Sequence, residues 1–269
     1  SDTAGGSAFT TESGETTTVG VSGNGVGTSG MVLTGVAGDL SFTDLDIFND
    51  NGTGLRATSS GAFNAGTGTG FRLAVGSGVG TVSSVGGPVI DFDSATIDLQ
   101  SATITGSGST TQGLRFNSAR GTFSTNNGSS LSTSNAAATA FLSNGSAISS
   151  TFAGPITVTA GKGVELTSNA GSTFSFRGGL AFNTGANAAF LATGGGTIEV
   201  CDENPCNAGA TGALVNTLTT TTATALNVTN TAISVNNLEF RSINAGTGAG
   251  SAGAGIVLDG TGASGGLVV

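Results

Sequence analysis

The sequence predicts an all-β protein, a right-handed parallel β-helix (solenoid) of about ten coils, mostly of 16–26 residues. Apolar side chains alternate with small or polar ones in short bursts, as in Phe174 and Phe176, which is typical of strands buried on one face. The bursts recur at 24–26 residues, so Phe174 is followed by Ile198, and Val164 by Phe190. Many of the 48 glycines lie between bursts, where corners require them.

Two other architectures compete with this prediction. A β-sandwich needs hairpins and antiparallel neighbours, and it does not explain recurrence in register at 24–26 residues. A disordered chain would fit the glycine and serine content. Disorder is disfavoured because only 9% of residues are charged and the 15 Phe follow the apolar alternation. Coils of three short strands explain both the recurrence at 24–26 residues and the alternation that the Phe residues follow. Stacked about 4.8 Å apart, they would form a rod of about 45–50 Å.

The chain divides into two expected regions. Residues 1–29 have few apolar side chains and predict an irregular lead-in or an imperfect first coil. Residues 30–269 predict one β-helix with a loop insert at 201–212. The alternation becomes regular at Met31, and NDNG at 49–52 predicts a turn after three strands.

Successive coils are expected to open at apolar residues with spacings that grow from 16 to 26 residues. These residues are Leu55, Phe71, Ile90, Leu114, Ala140, Val164 and Phe190. The second strands stay in step too, since Leu131, Ile156 and Leu180 follow one another at 25 and 24 residues. Beyond the insert the pattern is expected to resume with Leu226, Val228, Ile233, Val235, Leu238, Phe240, Ile256 and Leu258.

Composition argues against several functions. The net charge of −9, with Lys162 and six arginines, offers no basic patch for nucleic acid. The sequence contains no run of 18 apolar residues, so it predicts no membrane-spanning helix. His, Trp and Tyr are absent, which removes common acid–base groups and sugar-stacking side chains. We therefore expect no enzyme and no cofactor.

Paired carboxylates are the best candidates for chemistry, because pectin-cleaving enzymes also use parallel β-helices. Asp91 and Asp93 alternate with apolar residues and should point outward, with Asp98 one strand later and Arg115 one coil above. Such a pair could serve acid–base work or bind Ca²⁺. A solvated outer face with an ion pair is the simpler interpretation.

A second acidic stretch, DLDIFNDNG, offers weak calcium candidates in Asp44, Asp46 and Asp50. Their spacing does not match the EF-hand loop, and Asn, Asp and Gly are also ordinary corner residues. Metal binding therefore competes with a simple turn, and we assign no metal site.

Two cysteines, Cys201 and Cys206, enclose the sequence DENP. Without His or a second cysteine pair they do not make an ordinary zinc site. A loop disulfide in an oxidising compartment is the first interpretation, and two free thiols are the alternative.

Outward threonines suggest a further alternative, since flat threonine arrays can order water and bind ice. Examples are Thr103, Thr105, Thr157, Thr159 and the run TLTTTTAT at 217–224. The arrays are patchy, and threonine also suits any solvated strand.

Three stretches carry a resemblance to a known class of proteins: GTGLRATSSGAFNAGTGTGFRLAVGSG at 52–78, GANAAFLATGGGTIEV at 185–200 and the Thr- and Ala-rich run at 216–267. They resemble the repeats of very large secreted bacterial β-strand-repeat surface proteins, which are adhesin-like and autotransporter-passenger-like. The resemblance covers most of the chain from about residue 30, and the insert departs from it. It implies an extracellular or cell-surface β-helix and offers no catalytic motif.

The expected function is a structural or adhesive module of a secreted bacterial surface fibre. The last coil stops in mid-pattern, which predicts end-to-end assembly with copies of itself or with further repeats. Cell-surface or matrix components are the other expected partners. The alternatives are an ice- or glycan-binding β-helix and, less favoured, a polysaccharide lyase or hydrolase.

Overall fold

A computed structural model describes residues 8–59, 63–64, 70–203, 205–207, 214–248 and 253–269. Within these ranges the chain contains no helix, and its strands stack as a parallel β-solenoid of about nine turns. The strands are β1 (Ala8–Thr10), β2 (Thr16–Val19), β3 (Met31–Thr34), β4 (Gly38–Phe42), β5 (Asp44–Gly52), β6 (Leu55–Thr58), β7 (Phe71–Val75), β8 (Thr81–Gly86), β9 (Ile90–Asp93), β10 (Thr96–Ser107), β11 (Gln112–Asn117), β12 (Arg120–Thr125), β13 (Ser130–Thr133), β14 (Thr139–Asn144), β15 (Ala147–Phe152), β16 (Ile156–Val158), β17 (Lys162–Thr167), β18 (Thr173–Phe176), β19 (Leu180–Asn183), β20 (Phe190–Thr193), β21 (Thr197–Val200), β22 (Thr217–Thr219), β23 (Leu226–Thr229), β24 (Ala232–Glu239), β25 (Ser242–Asn244), β26 (Ile256–Asp259) and β27 (Leu267–Val268).

The strands form three faces, in which each strand pairs in parallel with its equivalents one turn before and one turn after. Face 1 contains β3, β6, β9, β11, β14, β17, β20, β23 and β26. Face 2 contains β1, β4, β7, β10, β12, β15, β18, β21, β24 and β27. Face 3 contains β2, β5, β8, β10, β13, β16, β19, β22 and β25. The long strand β10 passes from face 2 to face 3 and belongs to both.

The core consists of columns of like side chains inside the solenoid. Phe174 lies on Ile198 and Phe176 on Val200, as the 24-residue recurrence predicts, and all four are buried. Aromatic rings join the faces across the core: the ring of Phe176 lies edge-on to Phe141, with centroids 5.1 Å apart. Burial of these alternating side chains is therefore what fixes the register of each turn.

The lengths of the turns differ from the sequence prediction. Leu55 pairs directly with Ile90, 35 residues later, because Phe71 lies on face 2 and opens no coil. The early coils are therefore not shorter. The partner of Leu114 is Phe141 and not Ala140, although both are buried.

Three local expectations were also wrong. NDNG at 49–52 is not a turn but the end of β5, where a register irregularity between Asn49 and Gly52 absorbs one extra residue. Past the insert, regular pairing resumes already at β22, whose Leu218 lies on Phe182. Val235 is exposed and does not join the core.

The last described turn leaves core positions open. Ile256 and Leu258 continue the columns of Leu226 and Val228, which are 0% exposed, yet they are themselves 44% and 40% exposed. No strand of the described part pairs with the far edge of β26. Nor does the described part contain a helix with the length and apolar character to cross a membrane.

Candidate functional site

The paired carboxylates lie on the outer side of face 1 and belong to a charge ladder. Arg56, Asp91 and Arg115 occupy the same column in three consecutive turns. Arg115 Nε donates to Asp91 Oδ1 at 2.5 Å, and its Nη2 donates to Asp93 Oδ2 at 3.4 Å. Arg56 Nε lies 3.5 Å from Asp91 Oδ2. Both carboxylates are thus paired with guanidinium groups.

The third predicted carboxylate does not join this ladder. Asp98 lies on β10 in face 2, where its Oδ1 accepts a hydrogen bond from Gln100 Nε2 at 2.7 Å. Instead an amide ladder extends from the carboxylates. Asn117 donates to Asp93, Asn144 donates to Asn117, and Thr167 donates to Asn144. Sequence reasoning missed this ladder, although its spacings of 24, 27 and 23 residues follow the solenoid period.

Of the three weak calcium candidates, Asp44 and Asp50 form hydrogen bonds with other residues of the solenoid. Asp44 Oδ2 accepts from Thr16 Oγ1 at 2.9 Å, while its buried Oδ1 has no hydrogen-bond partner among the described residues. Asp50 Oδ2 accepts from the backbone N–H of Gly25 at 2.7 Å. Asp46 pairs in register with Thr18 and Thr81. Over the described ranges no three His, Cys, Asp or Glu side chains gather in a way that could hold a metal ion.

The outward threonines are distributed unevenly over face 3. Thr103 lies beside Thr81, but Thr105 lies between Ser83 and Ser130. Thr157 lies between Ser132 and Ala181. In the run at 217–224 only 217–219 form a strand. Thr159 follows the end of β16 and is exposed.

A polar cluster on the outer side of face 2 begins with an ion pair. Ser175 Oγ donates to Glu199 Oε1 at 2.6 Å, Asn236 Nδ2 donates to Glu199 Oε2 at 2.9 Å, and Arg177 Nη2 lies 3.3 Å from Oε1. Burial alone would raise the pKa of Glu199. The hydrogen bonds from Ser175, Asn236 and Ser234, together with the charge of Arg177, outweigh that effect and lower it below the ordinary value.

A disulfide between Cys201 and Cys206 lies against this cluster, and Cys206 Sγ is 3.8 Å from Ser175 Oγ. Of the insert predicted at 201–212, residues 204 and 208–212 lie outside the described ranges. Asn216 anchors the returning chain. It donates to the carbonyls of Cys201 and Glu239 and accepts from the N–H of Leu180. Sequence reasoning missed the cluster, since Arg177 and Glu199 stand 22 residues apart in the sequence and meet only after stacking.

Two shallow cavities meet at Arg177 on this face. One, of about 290 Å³, is lined mainly by Gln100, Ser101, Thr122, Ser124, Ser149 and Thr151. The other, of about 380 Å³, lies beside Asp202 and Val215. Hydroxyl and amide groups dominate the first, and its one aromatic, Phe123, is buried. The surface can form hydrogen bonds, but it offers no ring for stacking.

Comparison with known proteins gives no relative. No family model, no curated protein and no solved structure matches the chain.

Proposed function

We propose that the chain is a structural module of a secreted bacterial surface or extracellular fibre, built to extend by stacking further β-solenoid turns. The observation that carries the proposal is the open last turn, where Ile256 and Leu258 present core columns to solvent. Unpaired strand edges and exposed apolar columns together are a template for another parallel turn. A second copy of the chain can supply that turn.

The chemistry of the two end turns supports the proposal. On face 1 the first columns begin with Met31 and Leu33, and the last end with Ile256 and Leu258. A head-to-tail contact would therefore bring apolar residues onto apolar residues while keeping all strands parallel. Because the two surfaces differ and the contact lies along the rod axis, it repeats without closing into a ring and gives a filament.

Self-association tests the proposal. We expect the purified chain to form rods of increasing length as its concentration rises, measured by sedimentation and by electron microscopy. A double substitution, Ile256→Asp with Leu258→Asp, should abolish the association, because burying two carboxylates in the stacked end is unfavourable.

The matched control is Val85→Asp, which places a carboxylate on an exposed side position and should leave association intact. A chain that stays monomeric at millimolar concentration would contradict the proposal. So would association that the end variant leaves unchanged.

A glycan-binding role is the second candidate, favoured by the hydroxyl-lined cavity on face 2. Thr122 and Thr151 line it together with Arg177. Titration calorimetry with oligogalacturonate and with cello-oligosaccharides tests this role. Thr122→Val with Thr151→Val should weaken binding of whichever saccharide binds, while Thr157→Val on face 3 should not. No heat with either saccharide would speak against the role.

A further inference from the structure

Glu239 is a carboxyl group in an unusual place. Its neighbour Leu238 points into the core, so Glu239 points to the outer side of face 2. Even so, the residue is only 1% exposed, and its buried Oε2 accepts no hydrogen bond from the residues that the structure describes. Among the described residues, the buried Oε1 of Glu203 in the adjacent disulfide loop also has no hydrogen-bond partner.

The charges around Glu239 are mostly negative. Asp202 and Glu203 act on it from the disulfide loop. On the neighbouring strands Arg177 is paired with Glu199, and Arg241, two residues further on, is exposed. Residues 204 and 208–213, which lie outside the described ranges, include no titratable side chain. Burial, and then the charges of Asp202 and Glu203, raise the pKa of Glu239 above its ordinary value of 4.5.

We propose that Glu239 is a proton-binding site that couples to pH the packing on face 2 of the described disulfide-loop residues, Cys201–Glu203 and Cys206. The neutral acid fits this position, because a buried carboxylate beside two others is strongly disfavoured. Ionisation of Glu239 therefore repels the carboxylates of Asp202 and Glu203 and loosens the loop from β24, to which Asn216 ties it through the carbonyls of Cys201 and Glu239. The inference does not depend on the fibre proposal.

The sign of the effect follows from linkage. Because the pKa of Glu239 is raised in the folded state, its stabilisation is complete below the ordinary value of 4.5 and is lost as pH rises through the raised pKa. Glu199 acts in the opposite direction, since its pKa is lowered. Its contribution is present above 4.5 and is lost as pH falls. Loop packing is therefore expected to be tightest in mildly acidic solution.

The rate at which a phosphine reductant opens the disulfide tests the proposal, since the chain has two cysteines, both in this bond. Rates are measured from pH 4.5 to pH 8 and divided by those of a free peptide containing CDENPC, which removes the pH dependence of the reagent. We expect the normalised rate to rise with pH, by about tenfold for each unit by which the pKa of Glu239 is raised. Glu239→Gln should give a slow, pH-independent rate.

Glu165→Gln on face 1 is the matched control and should keep the pH dependence. Glu203→Gln should reduce that dependence, and it serves as the second test if Glu239→Gln fails to fold. A pH-dependent rate that survives in Glu239→Gln would overturn the proposal. So would millimolar CaCl₂ slowing reduction at pH 8 as much as acid does, because the carboxyl groups would then be binding a cation instead of a proton.

Discussion

Phe176 illustrates how a single residue is held in this solenoid. Its ring lies edge-on to Phe141, with centroids 5.1 Å apart, and to Phe190 at 5.8 Å. It also lies on Val200 in the next turn. One side chain therefore joins two faces and two successive turns, and its removal affects both directions of packing.

Replacing Phe176 by Ala should lower the free energy of unfolding by about 3–5 kcal/mol, because it leaves a cavity and removes two aromatic contacts. Urea unfolding followed by circular dichroism measures the change. Val32→Ala, at a half-exposed outer position, should change the midpoint little. An equal loss in both variants would show that this column does not carry the stability.

A smaller loss in the free energy of unfolding is expected when the charge ladder is interrupted. Asp91→Asn removes the carboxylate between Arg56 and Arg115 and leaves two cations that face the same uncharged turn from either side. We expect a loss of about 1–2 kcal/mol at low salt that shrinks as salt is added, because the pairs are partly exposed. Thermal unfolding at low and high salt measures it. Asn227→Asp, in the same column without arginine neighbours, is the control for a charge change alone.

Whole strands were predicted from the sequence where the recurrence is regular. The columns through β16, β18, β19 and β21 lie where the 24-residue spacing places them, because burial on one face determines the phase of each strand. Prediction failed where long corners break the spacing, as between Leu55 and Ile90. It also failed at β22, where threonines surround the single buried Leu218. Local pattern determines a strand's phase, but the length of a corner depends on tertiary packing.

The candidate site was less predictable than the strands. Asp91, Asp93 and Arg115 could be brought together from spacing alone, since they lie one turn apart in a regular part of the solenoid. Glu239 could not, because the residues beside it come from an insert outside the repeat. The burial of Glu239 depends on the insert, which does not follow the repeat of the solenoid.

The close packing of successive turns can be tested at the corner that contains Gly178. Gly178 packs so closely on the preceding turn that a Cβ would overlap the backbone of Ala153 and Gly154. We expect Gly178→Ala to destabilise the protein by about 1–3 kcal/mol through overpacking between turns. The control is Gly27→Ala, where a Cβ meets open space. Equal urea midpoints for the two variants would contradict the close approach of these corners.

The dimensions of the whole molecule follow from the count of turns. The nine strands of face 1, about 4.8 Å apart, give a rod of about 40 Å along the axis, slightly shorter than the ten coils expected from the sequence. Small-angle X-ray scattering of the dilute end variant, Ile256→Asp with Leu258→Asp, should give this length. A distance distribution with no elongated component would argue against the rod.

The unequal lengths of the turns show how such a chain can tolerate insertions. Phe141 and Val164 are 23 residues apart, whereas Phe190 and Leu226 are 36 apart, yet both pairs are linked by parallel pairing along face 1 without a shift. Extra residues are thus accommodated at corners while the strands keep their positions. A segment grafted at a corner would be displayed at a fixed height on the rod. The fold can therefore acquire new surface chemistry by insertion, one turn at a time, without redesign of its interior.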